Sequence, residues 1–180
     1  MRIKNQNILI RTALECDADI LSSWWNDGQI MAHAGFPKGI GTSKEVVMQQ
    51  LKDELLKEKY RFMIEYNQKP IGEMCYIKED YETVEIGIKI CDLQYQNKGL
   101  GKVILSMFIR SLFNMGYKKI KLSTMLNNKR AQHVYKKLGF CEVRINKDCW
   151  KDQLGELQSS IDYELKEEDF IEFSLSGNIS

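Results

Sequence analysis

The sequence has no run of about 20 apolar residues, so no segment is long enough to cross a bilayer as a helix. Its first residues, Met1-Arg2-Ile3-Lys4-Asn5-Gln6, lack the apolar core of a secretory leader. Surplus charge is also missing. The 26 Lys and Arg against 25 Asp and Glu leave a formal net charge of +1, too little to draw a protein onto nucleic acid or an anionic membrane. Metal-ligating residues are sparse: Cys16, Cys75, Cys91, Cys141 and Cys149 are scattered, no C-x-x-C pair occurs, and only His33 and His133 could assist. This pattern argues against a metal site and against a disulfide framework, and fits reduced thiols in a cytoplasm. Cys75 and Cys91 lie in apolar strand-like runs and read as buried small hydrophobes.

What is present is ordinary globular material, 43% hydrophobic and 28% charged over 180 residues. That length suits one domain. Its core is expected at about 7–165, followed by a tail over 166–180 that begins acidic and ends polar, with loose last residues. Periodicity predicts strands at Ile8–Thr12, Tyr60–Tyr66, Ile71–Ile77, Thr83–Cys91, Lys118–Thr124, Phe140–Asn146 and Ser159–Leu165. Helices are expected at Asp17–Trp25, Val46–Lys59, Leu100–Met115 and Asn128–Leu138. Thr42 and Glu45 have capping-box spacing before the second helix, and Asn67-Gln68-Lys69-Pro70 reads as the turn of a hairpin. Gly35–Gly41 must be a loop, and Lys147–Gln158 is a polar connection. The order predicts an α+β fold in which a strand–turn–helix–strand–helix unit follows locally paired strands.

The most informative segment is Gln96-Asn97-Lys98-Gly99-Leu100-Gly101-Lys102, which joins the clearest strand to the clearest helix. Glycines at 99 and 101 permit a tight turn with amide N–H groups facing outward at a helix N-terminus, a site for a phosphate or pyrophosphate. Lys98 and Lys102 flank it. The G-x-x-x-x-G-K-[ST] loop of mononucleotide binders is absent, and Ile104 stands where the third glycine of G-x-G-x-x-G would be.

A second block follows: Asn128-Lys129-Arg130-Ala131, Tyr135 and Gly139-Phe140. The two blocks together, over about Thr83 to Phe140, resemble the GNAT superfamily of acyl-CoA N-acyltransferases. The resemblance implies a central mixed, mostly antiparallel sheet flanked by helices. It implies acetyl-CoA as acetyl donor, with its pyrophosphate on Gln96–Lys102, and a strand bulge near Cys91-Asp92-Leu93 whose amides receive the pantetheine arm and thioester. Asn128 matches the asparagine near the pantetheine, with Ala131 on the same helix, and Tyr135 matches the tyrosine near the sulfur. Leu93 stands where a proline is common. Gly99-Leu100-Gly101 with Leu112-Phe113-Asn114 and Asn128-x-Arg130-Ala131 resembles the branch that holds aminoglycoside 6'-N-acetyltransferases and ribosomal-protein N-terminal acetyltransferases.

Acyl transfer to an amine needs a proton removed from the ammonium and one given to the departing thiolate. Tyr135, one turn after Ala131, is the candidate acid. Glu85, which interrupts the apolar alternation of its strand, is the candidate base, and Glu73 on the neighbouring strand is the second choice. A cysteine-bound intermediate at Cys91 is unnecessary, because direct transfer gains from proximity. For the acceptor, Trp24, Trp25 and Asp27, with Glu73 and the Gly35–Gly41 loop, offer an aromatic and acidic pocket for a cation. Trp150 with Asp148, Asp152 and Glu156 is placed to close it. The expected partner is a small cationic amine of aminoglycoside or polyamine type, with no nucleic acid or membrane partner and with a homodimer left open. The alternatives are a peptide N-terminal acetyltransferase and an acyl-CoA-binding module without turnover.

Overall fold

The computed structural model describes residues 1–174, so the expected looseness of the last residues falls outside the described chain. Eight strands form one sheet: β1 (Arg2–Asn5), β2 (Ile8–Thr12), β3 (Lys59–Tyr66), β4 (Lys69–Lys78), β5 (Thr83–Ile90), β6 (Lys119–Met125), β7 (Cys141–Lys151) and β8 (Leu157–Lys166). Five helices accompany them: α1 (Ala18–Asn26), α2 (Gly28–Met31), α3 (Lys44–Leu56), α4 (Leu100–Asn114) and α5 (Lys129–Lys137). The strand order is β1-β2-β3-β4-β5-β6-β8-β7. Every neighbouring pair is antiparallel except β5 with β6, so the sheet is mixed and mostly antiparallel, as expected.

Each face has its own core. Val84 and Ile86 of β5, with Phe62, Ile64, Met74, Ile120 and Leu122, pack under Val103, Ile104 and Phe108 of α4 and Tyr135 of α5. The opposite face carries Met63 and Cys91 against Leu21, Trp24 and Trp25 of α1, Met31 of α2, and Val47 and Leu51 of α3. Period-two alternation in β5 sends its isoleucines to the first face and Glu85, Gly87 and Lys89 to the second.

Several boundaries differ from the sequence reading, each for a local reason. The cap of α3 is Ser43, not Thr42: its hydroxyl accepts from the Val46 amide (3.4 Å), so the helix begins two residues early and Lys59 joins β3. Thr42 instead exchanges backbone bonds with the Asn26 side chain, both at 2.8 Å. The β3–β4 turn is only Asn67-Gln68, both at positive φ (50° and 65°), as a twist-matched two-residue hairpin turn requires. Pro70 lies inside β4, opposite Glu65, where a register shift absorbs its missing donor. Strands β7 and β8 extend through most of the polar 147–158 connection, because Asp152 Oδ1 takes the Leu154 and Glu156 amides (2.8 and 3.0 Å) and closes the turn between them. The short strand β1 and helix α2 were not legible.

Candidate active site

β5 and β6 pair only at Thr83–Glu85 with Lys119–Lys121. Beyond that point β5 stays in unbroken register with β4 to Ile90, and β6 stays with β8 to Met125. The two half-sheets therefore diverge as units and leave a gap between neighbouring strands. Up to Ile90 the register between β4 and β5 is unbroken, and just past it two amides, those of Cys91 and Asp92, face the one Ile71 carbonyl, a bulge where the resemblance implied one.

The free donors along this gap follow from ladder alternation. The Cys91 and Asp92 amides both donate to the Ile71 carbonyl, at 2.8 and 3.0 Å. These amides are therefore engaged, contrary to the expectation that they would meet a thioester. In an antiparallel ladder, odd residues of β5 point their backbone groups at β4, so even residues point theirs at β6. Past the last β6 partner, these are the amides of Ile88 and Ile90. The Ile90 carbonyl on the same edge is taken by Gln96 Nε2 at 2.8 Å. Leu93 is 54% exposed in the turn that follows. Asp92 caps that turn through the Gln94 amide (3.0 Å) and pairs with Lys69 (2.7 Å).

One end of the gap meets α4. Gly99 is the N-cap of this helix at φ 76°, a left-handed conformation that strains any residue with a β-carbon, and Asn97 before it has φ 60°. Among the described residues no side chain caps α4 or α1, whereas α2, α3 and α5 are capped by Asp27, Ser43 and Asn128. The first-turn amides, starting at Leu100, are thus left for an external acceptor, and the helix dipole favours an anion. A β-carbon at Gly101 would meet no protein atom within 4 Å, so packing does not demand glycine there. A ligand lying against the backbone would. Gln96 Oε1 and Asn97 Oδ1 accept from Arg130, at 2.9 and 3.2 Å, which ties the turn to α5.

The other side of the gap, following β6, is lined by α5. Asn128 caps it through the Ala131 amide (3.2 Å) and reaches Thr124 of β6 (3.4 Å). Gln132, unnoticed in the sequence, anchors the same helix by donating to the Leu126 carbonyl at 2.8 Å. The Tyr135 ring packs on Phe140 and Tyr163, with centroids 5.8 and 5.7 Å away. Burial, then the Tyr163 hydroxyl, pushes its pKa up to about 12. It stays protonated at neutral pH and can give a proton.

On the α1 face, the expected acceptor residues are already occupied. Glu73 is 3% exposed; its carboxylate accepts from Trp25 Nε1 (2.8 Å), binds Arg61, and lies 3.4 Å from Lys89 Nζ. Burial raises its pKa, but the Arg61 and Lys89 charges outweigh that and hold it below the usual range. Arg61 continues to Glu54 at 2.5 and 2.9 Å, and its guanidinium lies 4.7 Å from the Trp25 ring. Trp24 and Trp25 are core residues, 9% and 4% exposed. Asp27 spends its carboxylate on the Gln29 amide at 2.7 Å. Glu73 is therefore too stable an anion for a base, and Trp24, Trp25 and Glu73 form structure where an open pocket was expected, while Asp27 is exposed and caps α2 with one carboxylate oxygen.

Glu85 behaves differently. It is half-buried, and no hydrogen bond or ion pair holds its carboxylate among the described residues. Burial, then the charges of Glu79 and Asp162, raises its pKa, the direction that suits a base near neutral pH. Cys91 lies on the same face, but burial, then Glu73, pushes its thiol far up, so it is a poor nucleophile. Above this surface the β7–β8 turn meets the Gly35–Gly41 loop. Gln153 bonds Gly39 and Lys38 backbone, both at 2.8 Å, and the Trp150 ring lies so close that a β-carbon on Gly35 would be 2.4 Å from it. Trp150 thus packs on the Gly35–Gly41 loop, while Asp152 serves its own turn.

This geometry matches known proteins. Residues 35–140 fit the model of the acetyltransferase (GNAT) family. A spermidine N-acetyltransferase from Vibrio cholerae, solved with CoA and spermine, superposes with a TM-score of 0.81 at 20% identity, over 92% of this chain and 98% of that one. The ribosomal L7/L12 alpha-N-protein acetyltransferase RimL, solved with CoA, gives 0.82 at 15% identity, over the same 92% and 98%. The protein yncA from Salmonella typhimurium, solved with acetyl-CoA, gives 0.72 at 17% identity, over 89% and 94%. With a splayed β5–β6 pair, an uncapped α4 and a family match over most of its length, the chain belongs to the GNAT acetyltransferase family.

Proposed function

We propose that this protein transfers an acetyl group from acetyl-CoA directly to a primary amine of a small cationic acceptor. The observation that carries this reading is the juxtaposition of the uncapped α4 turn, the β5 edge at Ile88 and Ile90, and Tyr135 around one interstrand gap. The donor supplies an activated thioester. The α4 amides with Lys98, Gly99, Leu100, Gly101 and Lys102 would hold its pyrophosphate, with Gln96 and Asn97 fixing the loop. Asn128 and Ala131 would line the pantetheine arm. An amide of Ile88 or Ile90 would stabilise the oxyanion as the amine adds to the carbonyl carbon. Tyr135 would protonate the departing thiolate, and Glu85, directly or through water, would take the proton from the ammonium.

A small cation is favoured over an extended peptide by two features. The Gln153 bridge between the β7–β8 turn and the Gly35–Gly41 loop narrows the acceptor side. The unpaired Glu85 carboxylate, on the sheet face that α1–α3 cover, would favour a cation. Two related structures, solved with spermine and as a ribosomal-protein acetyltransferase, define the two acceptor classes to be compared. A thiol-release assay with acetyl-CoA over polyamines, aminoglycosides and peptides tests the reading. Turnover with small polyamines or aminoglycosides and none with peptides is expected. Turnover with peptides alone would replace the acceptor class, and CoA binding without thiol release from any amine would leave a binding module.

A further inference from the structure

Three cations surround the α4 turn, and each is held by a neutral group. Lys98 Nζ lies 5.9 Å from the centroid of the Tyr95 ring, and Lys102 Nζ lies 3.9 Å from that of Phe173. Arg130 donates only to the amide oxygens of Gln96 and Asn97. No ion pair holds any of the three among the described residues. At other cations the pattern reverses: Lys69 pairs with Asp92 at 2.7 Å, and Arg110, farther along α4, pairs with Glu167 and Glu172 at 3.3 and 3.0 Å. A carboxylate fixes a cation by cancelling its field. A ring face or an amide oxygen fixes it and leaves the charge available.

The ring beneath Lys102 comes from the far end of the chain. Residues 167–173 run back along α4 toward its N-terminus. Phe170 packs on Phe113 with centroids 5.7 Å apart and lies under the Arg110 guanidinium at 5.0 Å. The Ile171 amide donates to the Leu138 carbonyl at the end of α5 (3.0 Å), and the Phe173 amide donates to Ser106, a fully buried hydroxyl on α4 (2.7 Å). Gly139 admits the segment, since a β-carbon there would lie 1.9 Å from the Asp169 carbonyl oxygen. The segment expected to be a tail thus straps together the helix that carries the anion turn and the helix that carries Tyr135. Lys102 leaves α4 from its first turn, beside the bare amides.

We propose that this C-terminal strap is part of the donor site, with Phe173 as a positioning residue that holds the uncancelled Lys102 ammonium at the α4 turn for the phosphates of the donor. The proposal rests on the acyl-CoA reading above. In full-length protein, Phe173→Leu keeps an apolar contact but removes the ring face. Phe173→Glu keeps a tether for Lys102 but cancels its charge. CoA affinity is measured by calorimetry at low and high salt for these two variants, Lys102→Met and the parent, with thermal melts to establish folding. Phe173→Leu should weaken CoA binding about threefold, the scale of one exposed cation–π contact. Phe173→Glu and Lys102→Met should each weaken it about tenfold, the loss of one charge-assisted contact. Both should also make affinity less sensitive to salt, because one fewer cation faces the phosphates. Parental affinity and salt dependence in Phe173→Glu would overturn the proposal. So would equal losses in the Leu and Glu variants with parental salt dependence, which would make the strap structural only. If the Phe173 variants do not fold, Lys102→Met decides: a parental salt response overturns the assignment. A parent chain that fails to bind CoA would instead overturn the donor reading itself.

Discussion

The two faces of the central sheet use charge in opposite ways. On the α1–α3 face, Glu54, Arg61, Glu73 and Lys89 are drawn inward and pair with one another around Trp25. On the α4–α5 face the interior is apolar, and Lys98, Lys102 and Arg130 stand at its rim on neutral partners. The first arrangement pairs these four charges with one another, so it holds a shape, and leaves Glu85 as the unpaired carboxylate of that face. The second leaves cations and backbone donors unsatisfied, which is what a polyanionic ligand needs. Acidic residues near a tryptophan are therefore a poor guide to a cation pocket when a guanidinium lies within reach of both.

If that contrast is right, mutations in the paired network and at the unpaired groups should separate stability from chemistry. The largest effect belongs to the buried network. Glu73→Gln leaves Arg61 and Lys89 short of a counter-charge and should cost about 3 kcal/mol of stability, read from denaturant midpoints. Because the folded pKa of Glu73 is depressed, its contribution is present above the unfolded value of about 4.3 and disappears as pH falls through the lower folded value. The parent should thus lose stability in acid more steeply than the Gln variant.

Tyr135→Phe should do the reverse: turnover falls about 100-fold while CoA affinity stays near that of the parent, measured by thiol release and calorimetry. Unchanged turnover would remove Tyr135 as the acid. Next comes Gly99→Val, which forces a β-branched residue into a left-handed N-cap and should weaken CoA binding about tenfold. Parental affinity would dissociate the turn from the donor. Glu85→Gln tests the base. The parent's kcat/KM should rise with pH through the elevated Glu85 pKa, and the variant should lose that limb of the profile. A retained limb would assign it to another group. The smallest effect is expected at Asp27→Ala, about 1 kcal/mol in stability from a lost helix cap, with acceptor KM unchanged.

Legibility in the sequence differed between the two sides of the gap. Gly99, the alternation of β5 and the Asn128 cap are encoded within a few residues of where they act, and each could be read directly. Trp25 and Glu73 are 48 positions apart, and nothing local to either announces that they share a hydrogen bond. The same holds for the free amides of the gap. The sequence pointed to the end of β5, but the Ile71 carbonyl on β4 claims Cys91 and Asp92, and that moves the open donors to Ile88 and Ile90. The strap was missed because its only sequence signals, Phe170 and Phe173 in an acidic stretch, gain meaning from the buried Ser106 and from Gly139, which lie far upstream.

By itself, then, the sequence determined the glycine turn at Gly99, the helix that follows it, the alternating strand before it, and the family to which such a combination points. These are properties of backbone conformation and short-range periodicity, settled by which residues tolerate a positive φ or share a face. Only the tertiary structure decided which charges cancel, which amides remain free, and that residues 167–173 return along α4 to set Phe173 against Lys102. Those outcomes depend on groups distant in the chain competing for the same few partners, and the competition is resolved by burial.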